Sequence, residues 1–322
     1  MQISGNLLRL LIFAGWVFAG IGPARGQDSI SLKTGDLMIQ VDSVKGRPWL
    51  VAGAHAAAWA GTFIALNKAW YEGYDKAEFH SFNDGREWNQ MDKAGHIWTT
   101  YQLGRASGAT WKWAGLPRKS AIWLGGASAV AFQSIIEIQD GYSVKWGFSW
   151  WDMAANITGA GAYVAQELGW KEQRIQIKMG YWPHRYPAEF LQRRNELFGA
   201  GNLERILKDY NSQAYWLSVN LYSFFPESRL PEWLNISLGY SSDLMLGGME
   251  NRWTNGDGQV IDRSDIKRVR KYYLSADLDL TRIPTRSKFL RSVFFAINAI
   301  KIPAPAIEFN SSGKFRLHAL HH

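Results

Sequence analysis

No cysteine occurs anywhere in the 322 residues. That absence excludes disulfide bridges, cysteine-ligated zinc and lipid attachment to an N-terminal cysteine, so packing and hydrogen bonding must hold the fold together. Familiar catalytic signatures are missing too: there is no Gly-x-Ser-x-Gly elbow, no Gly-x-x-x-x-Gly-Lys-Ser/Thr phosphate loop and no His-Glu-x-x-His pair. A concentrated basic face is also lacking. The formal net charge is +8, yet the densest basic run, DRSDIKRVRKYY, has acids mixed into it, which excludes nucleic acid as a partner. Proline is sparse, and most of it lies beyond Gly180. The chain has no internal repeat and no long low-complexity tract.

What is present begins with a leader. Arg9 enters the apolar stretch LLIFAGWVFAGIG, and Ala24-Arg25-Gly26 supplies small residues for cleavage, so residues 1–26 read as a secretory signal and the chain as exported. The stretch is short for a membrane span, an uncleaved anchor being the alternative. Aromatic residues are abundant, with 17 Trp, 13 Tyr and 16 Phe, many beside Lys, Arg or Gly as at a bilayer interface. A membrane or another envelope component is therefore the expected partner, the alternative being that these rings fill a core.

Three Ala/Gly-rich segments read as helices: Pro48 to Leu66, about Ala121 to Ile136 after Pro117, and about Asp152 to Leu168 after a Ser149-x-x-Asp152 capping pattern. Beyond Gly180 the pattern changes. WLNISLGY and KYYLSADLDL alternate apolar with small polar residues as strands do, and SKFLRSVFFAINAI reads as an amphipathic helix. The expected fold is mainly α, a compact membrane-associated helical bundle with a smaller mixed α/β C-terminal part. Its divisions are a signal over 1–26, an N-terminal mature segment over 27–47, a helical domain over 48–180 and a mixed region over 181–322.

Polar side chains recur at helical spacing inside these apolar segments. Asp92 and His96 share a helix face with Lys93 beside them, Glu137 and Asp140 form a second pair, and Asp152 and Asn156 a third, with Gly159 on the same face to admit a neighbouring helix. Such groups are costly to bury unless they satisfy one another, so a shared polar centre between packed helices is expected. One reading is a structural clasp in which Lys93 neutralises Glu137 and His96 satisfies Asp92. Another is catalytic, with His96 as base, Asp92 as its orienter and Glu137 as a second acid or base. A metal is a third, with His80, Asp84, Asp92 and His96 as weak candidate ligands. Asp152 reads first as a capping residue. Lys208, Asp209, Tyr210 and Asn211 read as a helix end and loop contact. No cofactor is identified.

DKAGH, the Glu137-x-x-Asp140 pair and SWWDMAANITGA resemble the DUF2279 family of predicted periplasmic proteins, related to YfiM-like envelope lipoproteins. FHSFNDGREWNQMDKAGH and IKIPAPAIEF are similar to its longer Bacteroidetes-type branch. A more distant likeness joins the same constellation to VanZ-like membrane proteins. The specific likeness spans about residues 66 to 170. It implies an envelope protein with a helical core in the periplasm or at the membrane periphery of a Gram-negative envelope, the outer membrane included, and brings no established reaction. The leading reading is a protein that binds a lipid, glycan lipid or protein partner through its polar centre. The competing one is a membrane-proximal hydrolase or transferase.

Overall fold

The computed structural model describes residues 46–68 and 75–321. The leader over 1–26 and all but the end of the 27–47 segment lie outside the described residues. Helix α1 (Arg47–Leu66) starts at a proline tolerated in the first turn, where its missing N–H would have no partner anyway. Helices α2 (Met91–Trp113), α3 (Arg118–Gly141) and α4 (Trp150–Gly169) follow and pack tightly on one another. Glycine makes the close approach possible. A Cβ on Gly159 of α4 would stand 2.3 Å from the carbonyl oxygen of Ile97 on α2, and one on Gly125 of α3 would stand 2.8 Å from that of Gly104. Among the described residues α3 alone is long and apolar enough to cross a membrane; here it packs against both α2 and α4. Helix α1 leans on this trio through His55 Nε2 and Ser107 Oγ, 2.9 Å apart, and through Trp59 against Phe132.

The rest of the chain is built around strands. β1 (Ile175–Tyr181) leads through short helices α5 (Leu191–Phe198) and α6 (Asn202–Lys208) to β2 (Gln213–Asn220), which ends in a single turn, α7 (Leu221–Phe224). Next come β3 (Leu234–Asp243), a β4–β5 ribbon (Arg252–Thr254 with Val260–Asp262), β6 (Val269–Leu278), α8 (Lys288–Ile297), β7 (Ala304–Asn310) and β8 (Phe315–His321). β1, β2, β3, β6, β7 and β8 form one antiparallel sheet in that spatial order.

The architecture overturns the expectation of a mainly α protein built as a compact helical bundle. It is mixed α/β, with eight strands among the described residues, six of them in a single sheet. The helical signal dominates the sequence because long Ala/Gly-rich runs are conspicuous, whereas strands alternating Leu or Ile with Ser or Asn are weak per segment. Helices and sheet also share one core. Tyr101, Ile122, Tyr163 and Val164 pack with Ile177 of β1, and Met91 packs with Tyr215 of β2 and Met245. The bundle therefore covers one face of the sheet at β1 and β2.

Candidate functional site

The polar centre is positioned by an unusual entry into α2. Trp88, Asn89 and Gln90 all have positive φ, at 49°, 51° and 64°, a conformation costing a non-glycine residue roughly 1–3 kcal/mol. The sheet side holds them there. Arg270 Nη1 donates to the Asn89 carbonyl at 2.9 Å, the Tyr240 hydroxyl donates to the same oxygen, and Trp88 N–H donates to the Gly248 carbonyl at 2.7 Å. The chain then enters α2 with Asp92, Lys93 and His96 facing α3 and α4. At the start of α4, Ser149 Oγ accepts from Asp152 N–H at 3.0 Å and donates to Asp84 Oδ1 at 2.5 Å. Only half of the expected capping box forms. Glu137 Oε2 takes the Ser149 N–H at 3.4 Å, so the Asp152 carboxylate is free to turn into the centre.

His96 lies at the middle. Its Nδ1 is 3.0 Å from Asn156 Oδ1, an acceptor shared with Thr100 Oγ1 at 2.9 Å. With the Asn156 amide in this orientation His96 Nδ1 donates to it, and Nε2 faces the carboxylates. Three carboxylate oxygens surround that nitrogen: Asp92 Oδ1 at 3.8 Å, Glu137 Oε1 at 3.7 Å and Asp152 Oδ1 at 3.7 Å. These separations are too long for hydrogen bonds. Glu137 is 1% exposed, and its Oε1 has no hydrogen-bond partner.

Lys93 does not reach Glu137 as the clasp reading expected. Its Nζ sits 2.5 Å from Asp84 Oδ2, 3.0 Å from Asp92 Oδ2 and 2.8 Å from Asp152 Oδ1. The last contact is an ion pair without hydrogen-bond alignment, since Asp152 Oδ1 has no hydrogen-bond partner. Nor does Asp92 orient His96; Asn156 does. Asp92 Oδ1 instead accepts from the Tyr210 hydroxyl at 2.7 Å.

Acid outnumbers base here, and the titration of the groups reflects it. Burial, then Asp152 and Asp140, push the Glu137 carboxyl up to about 10. Burial, then Asp92, raise Asp152 to about 7. Burial also acts to raise Asp92, but His96 and Lys93 outweigh it and hold that carboxyl below its ordinary value. Lys93 is held above the usual lysine range because its carboxylates outweigh the cost of burial.

The centre forms the floor of a cavity of about 1130 Å³. Its walls are largely apolar and include Leu50, Ala54 and Ala58 of α1, Phe132 of α3 and Met179 of β1. The donor set fits a divalent metal. Asp92, His96 and Asp152 each offer a ligand atom within 4.8 Å of the others, and Glu137 Oε1 adds a fourth close to His96. Two tetrahedral ligands on one zinc ion are separated by roughly 3.4 Å, so the three oxygens stand a few tenths of an ångström too far from Nε2 to share an ion with it without closure. Asn156 on the opposite ring nitrogen is the kind of outer partner that fixes a ligating imidazole.

Of the other candidates, Asp140 lines the cavity beside the centre. Asp84 joins it, but both its oxygens are engaged, by Ser149 and Lys93. His80 stays outside, its ring nitrogens 2.7 Å from the Trp146 carbonyl and 3.1 Å from that of Glu78, so it is not placed to share a metal with Asp92 and His96. Tyr210 is the residue that sequence reasoning missed: the KDYN segment places its hydroxyl on a carboxylate 118 positions away, and no local pattern signals such a pairing.

Residues 81–167 match the DUF2279 family, described as predicted periplasmic lipoprotein. That span carries Asp84, Asp92, Lys93, His96, Glu137, Asp152 and Asn156, every member of the cluster except Tyr210. That description supports an exported, periplasmic protein. No curated protein and no solved structure matches the chain significantly.

Proposed function

We propose that this envelope protein holds a divalent metal ion between His96 Nε2, Asp92, Asp152 and Glu137, and receives in the adjoining cavity an amphipathic molecule whose polar head meets that centre. One observation carries the reading: His96 Nε2 faces three carboxylate oxygens at 3.7 to 3.8 Å with no hydrogen bond among them. The acids here outnumber Lys93, and carboxylates so clustered repel unless a further cation or protons stand between them. One imidazole with carboxylate oxygens suits Zn²⁺ or Mn²⁺ over soft Cu⁺. The apolar walls of α1 match the acyl part of a lipid or glycan lipid.

The test is calorimetric titration of EDTA-treated protein with Zn²⁺ and Mn²⁺. Binding of one ion per chain, abolished in His96→Ala and weakened at least about tenfold in Asn156→Ala, is expected. If wild type takes up no stoichiometric metal, or if His96→Ala binds as well as wild type, the reading fails. A hydrolase or transferase working through the same residues is the second reading, favoured by the opening of the centre into the cavity. Turnover of an envelope ester, lost in His96→Ala with folding intact, distinguishes it from binding alone.

A further inference from the structure

In a half-exposed sheet of a water-soluble domain, apolar side chains point inward and polar ones outward. Here the six-stranded sheet does the reverse over β3, β6, β7 and β8. Asn235, Ser237, Ser275, Asp277 and Glu308 are buried, whereas their sequence neighbours Leu238, Leu274, Ile307 and Phe309 are 56%, 45%, 40% and 54% exposed. The strand register orders the exposed side chains into rows. Leu217, Leu238, Leu274, Ile307 and Leu317 are successive cross-strand partners, forming an aliphatic row across five strands. Two residues along, Tyr272, Phe309 and Phe315 form a parallel exposed aromatic row, which ends at half-buried Tyr240 against the Met91, Tyr215 and Met245 cluster. One step further the partners are Ser242 and Arg270, and exposed Lys314 precedes Phe315. Neither row contains a charged side chain.

We propose that this face docks on a lipid bilayer, its aliphatic row in the acyl layer, its exposed aromatic row at the interface and Lys314 at the level of anionic head groups. Apolar-out and polar-in alternation is the pattern of strands that face lipid. The order hydrocarbon, aromatic, cation along one direction is that of a bilayer surface. The face also continues the one that the helices cover at β1 and β2, where Ile177 and Tyr215 are buried. It is thus an apolar surface of which helices cover only a part. The basic segment leading into β6, too diluted by acid for nucleic acid, ends at the rim of this face.

Because the chain has no cysteine, single cysteines can be labelled cleanly. The full chain carrying an environment-sensitive fluorophore at Leu238→Cys or Leu274→Cys, with Asp257→Cys in the exposed β4–β5 turn as control, is mixed with vesicles of phosphatidylethanolamine and phosphatidylglycerol. On vesicle binding the two sheet labels are expected to shift to the blue, lose access to aqueous iodide and be quenched by lipid-borne spin labels, while the label at 257 does not change. Leu274→Asp, exposed and therefore expected to fold normally, should weaken vesicle binding at least about tenfold. Sheet labels that remain open to iodide on vesicle-bound protein overturn the proposal. So does protection without vesicles, which indicates a second copy if it grows with protein concentration, or the N-terminal segment if it vanishes on deleting residues 1–45.

Discussion

Two of the clusters in which the chain buries charge are treated differently. In the sheet, Lys178 Nζ is 2.9 Å from Asp277 Oδ2 and also donates to the Leu278 carbonyl and Asn298 Oδ1; Asp277 accepts from Ser218 Oγ at 2.6 Å; Asn298 donates to Gln176, which donates to Asp279. None of these side chains has a buried atom without a partner. Between the helices, Glu137 Oε1 and Asn156 Nδ2 have none, acids outnumber Lys93, and Asp92, His96 and Asp152 of the same group line a cavity. A satisfied network is worth more as structure, because breaking it strands a charge. An unsatisfied one beside a cavity is a place where something from outside completes the set.

The largest effect expected from this contrast is in the sheet. Asp277→Ala leaves Lys178 buried without its carboxylate and should cost about 3–5 kcal/mol in urea unfolding, whereas Glu137→Gln in metal-free protein should leave stability unchanged or raised. Equal losses in both variants would erase the distinction between a structural and a ligand-seeking cluster. Next in size is the response to metal. At a free Zn²⁺ concentration about a hundredfold above Kd, wild type should gain about 2.7 kcal/mol and Asp277→Asn a similar increment on its own lower baseline, while Glu137→Gln gains less.

Smaller effects separate the two clusters by the sign of their pH dependence. Glu137 is raised from about 4.5 to about 10, so its favourable contribution is fully present below its unfolded value and is lost as pH rises through the folded one. Lys301 is lowered to about 8, first by burial and against the pull of Asp277, so its contribution is present above the ordinary lysine value and is lost as pH falls through 8. Unfolding of metal-free protein should show the stability advantage of Glu137→Gln over wild type growing from pH 5 to pH 9, and that of Lys301→Met shrinking from pH 7 to pH 10. Parallel trends would mean that the two clusters do not differ in this way. The smallest change is Ser149→Ala, expected to lose about 1 kcal/mol through the α4 cap, with a weaker Lys93 clasp as its accompaniment.

Much of the candidate site was legible because it obeys local periodicity. Asp92 and His96 are one turn apart on α2, Ser149 caps α4, and Gly159 admits the Ile97 carbonyl, all consequences of helical spacing and side-chain size. The partners were legible only in part. Lys93 was assigned to Glu137 because Asp84 lies before α2 in a loop, where spacing says nothing about direction, and its contact depends on the left-handed turn at Trp88 to Gln90. The strands at WLNISLGY and KYYLSADLDL were readable from their period of two. Which face would be buried was not, since alternation is symmetric under exchange of inside and outside.

The amino-acid sequence by itself determined that the chain is stabilised without disulfides, that acids, a lysine and a histidine recur at helical spacing in its N-terminal half, and that strands follow them. These are short-range properties set by side-chain size, polarity and period. Only the tertiary structure decided that six strands join in one sheet, that its polar face turns inward, that Tyr210 completes the Asp92 shell, and that Glu137 Oε1 is left without a hydrogen bond behind the floor of a cavity. Each of those depends on residues tens to hundreds of positions apart meeting in space, and no local rule of the polypeptide encodes such meetings.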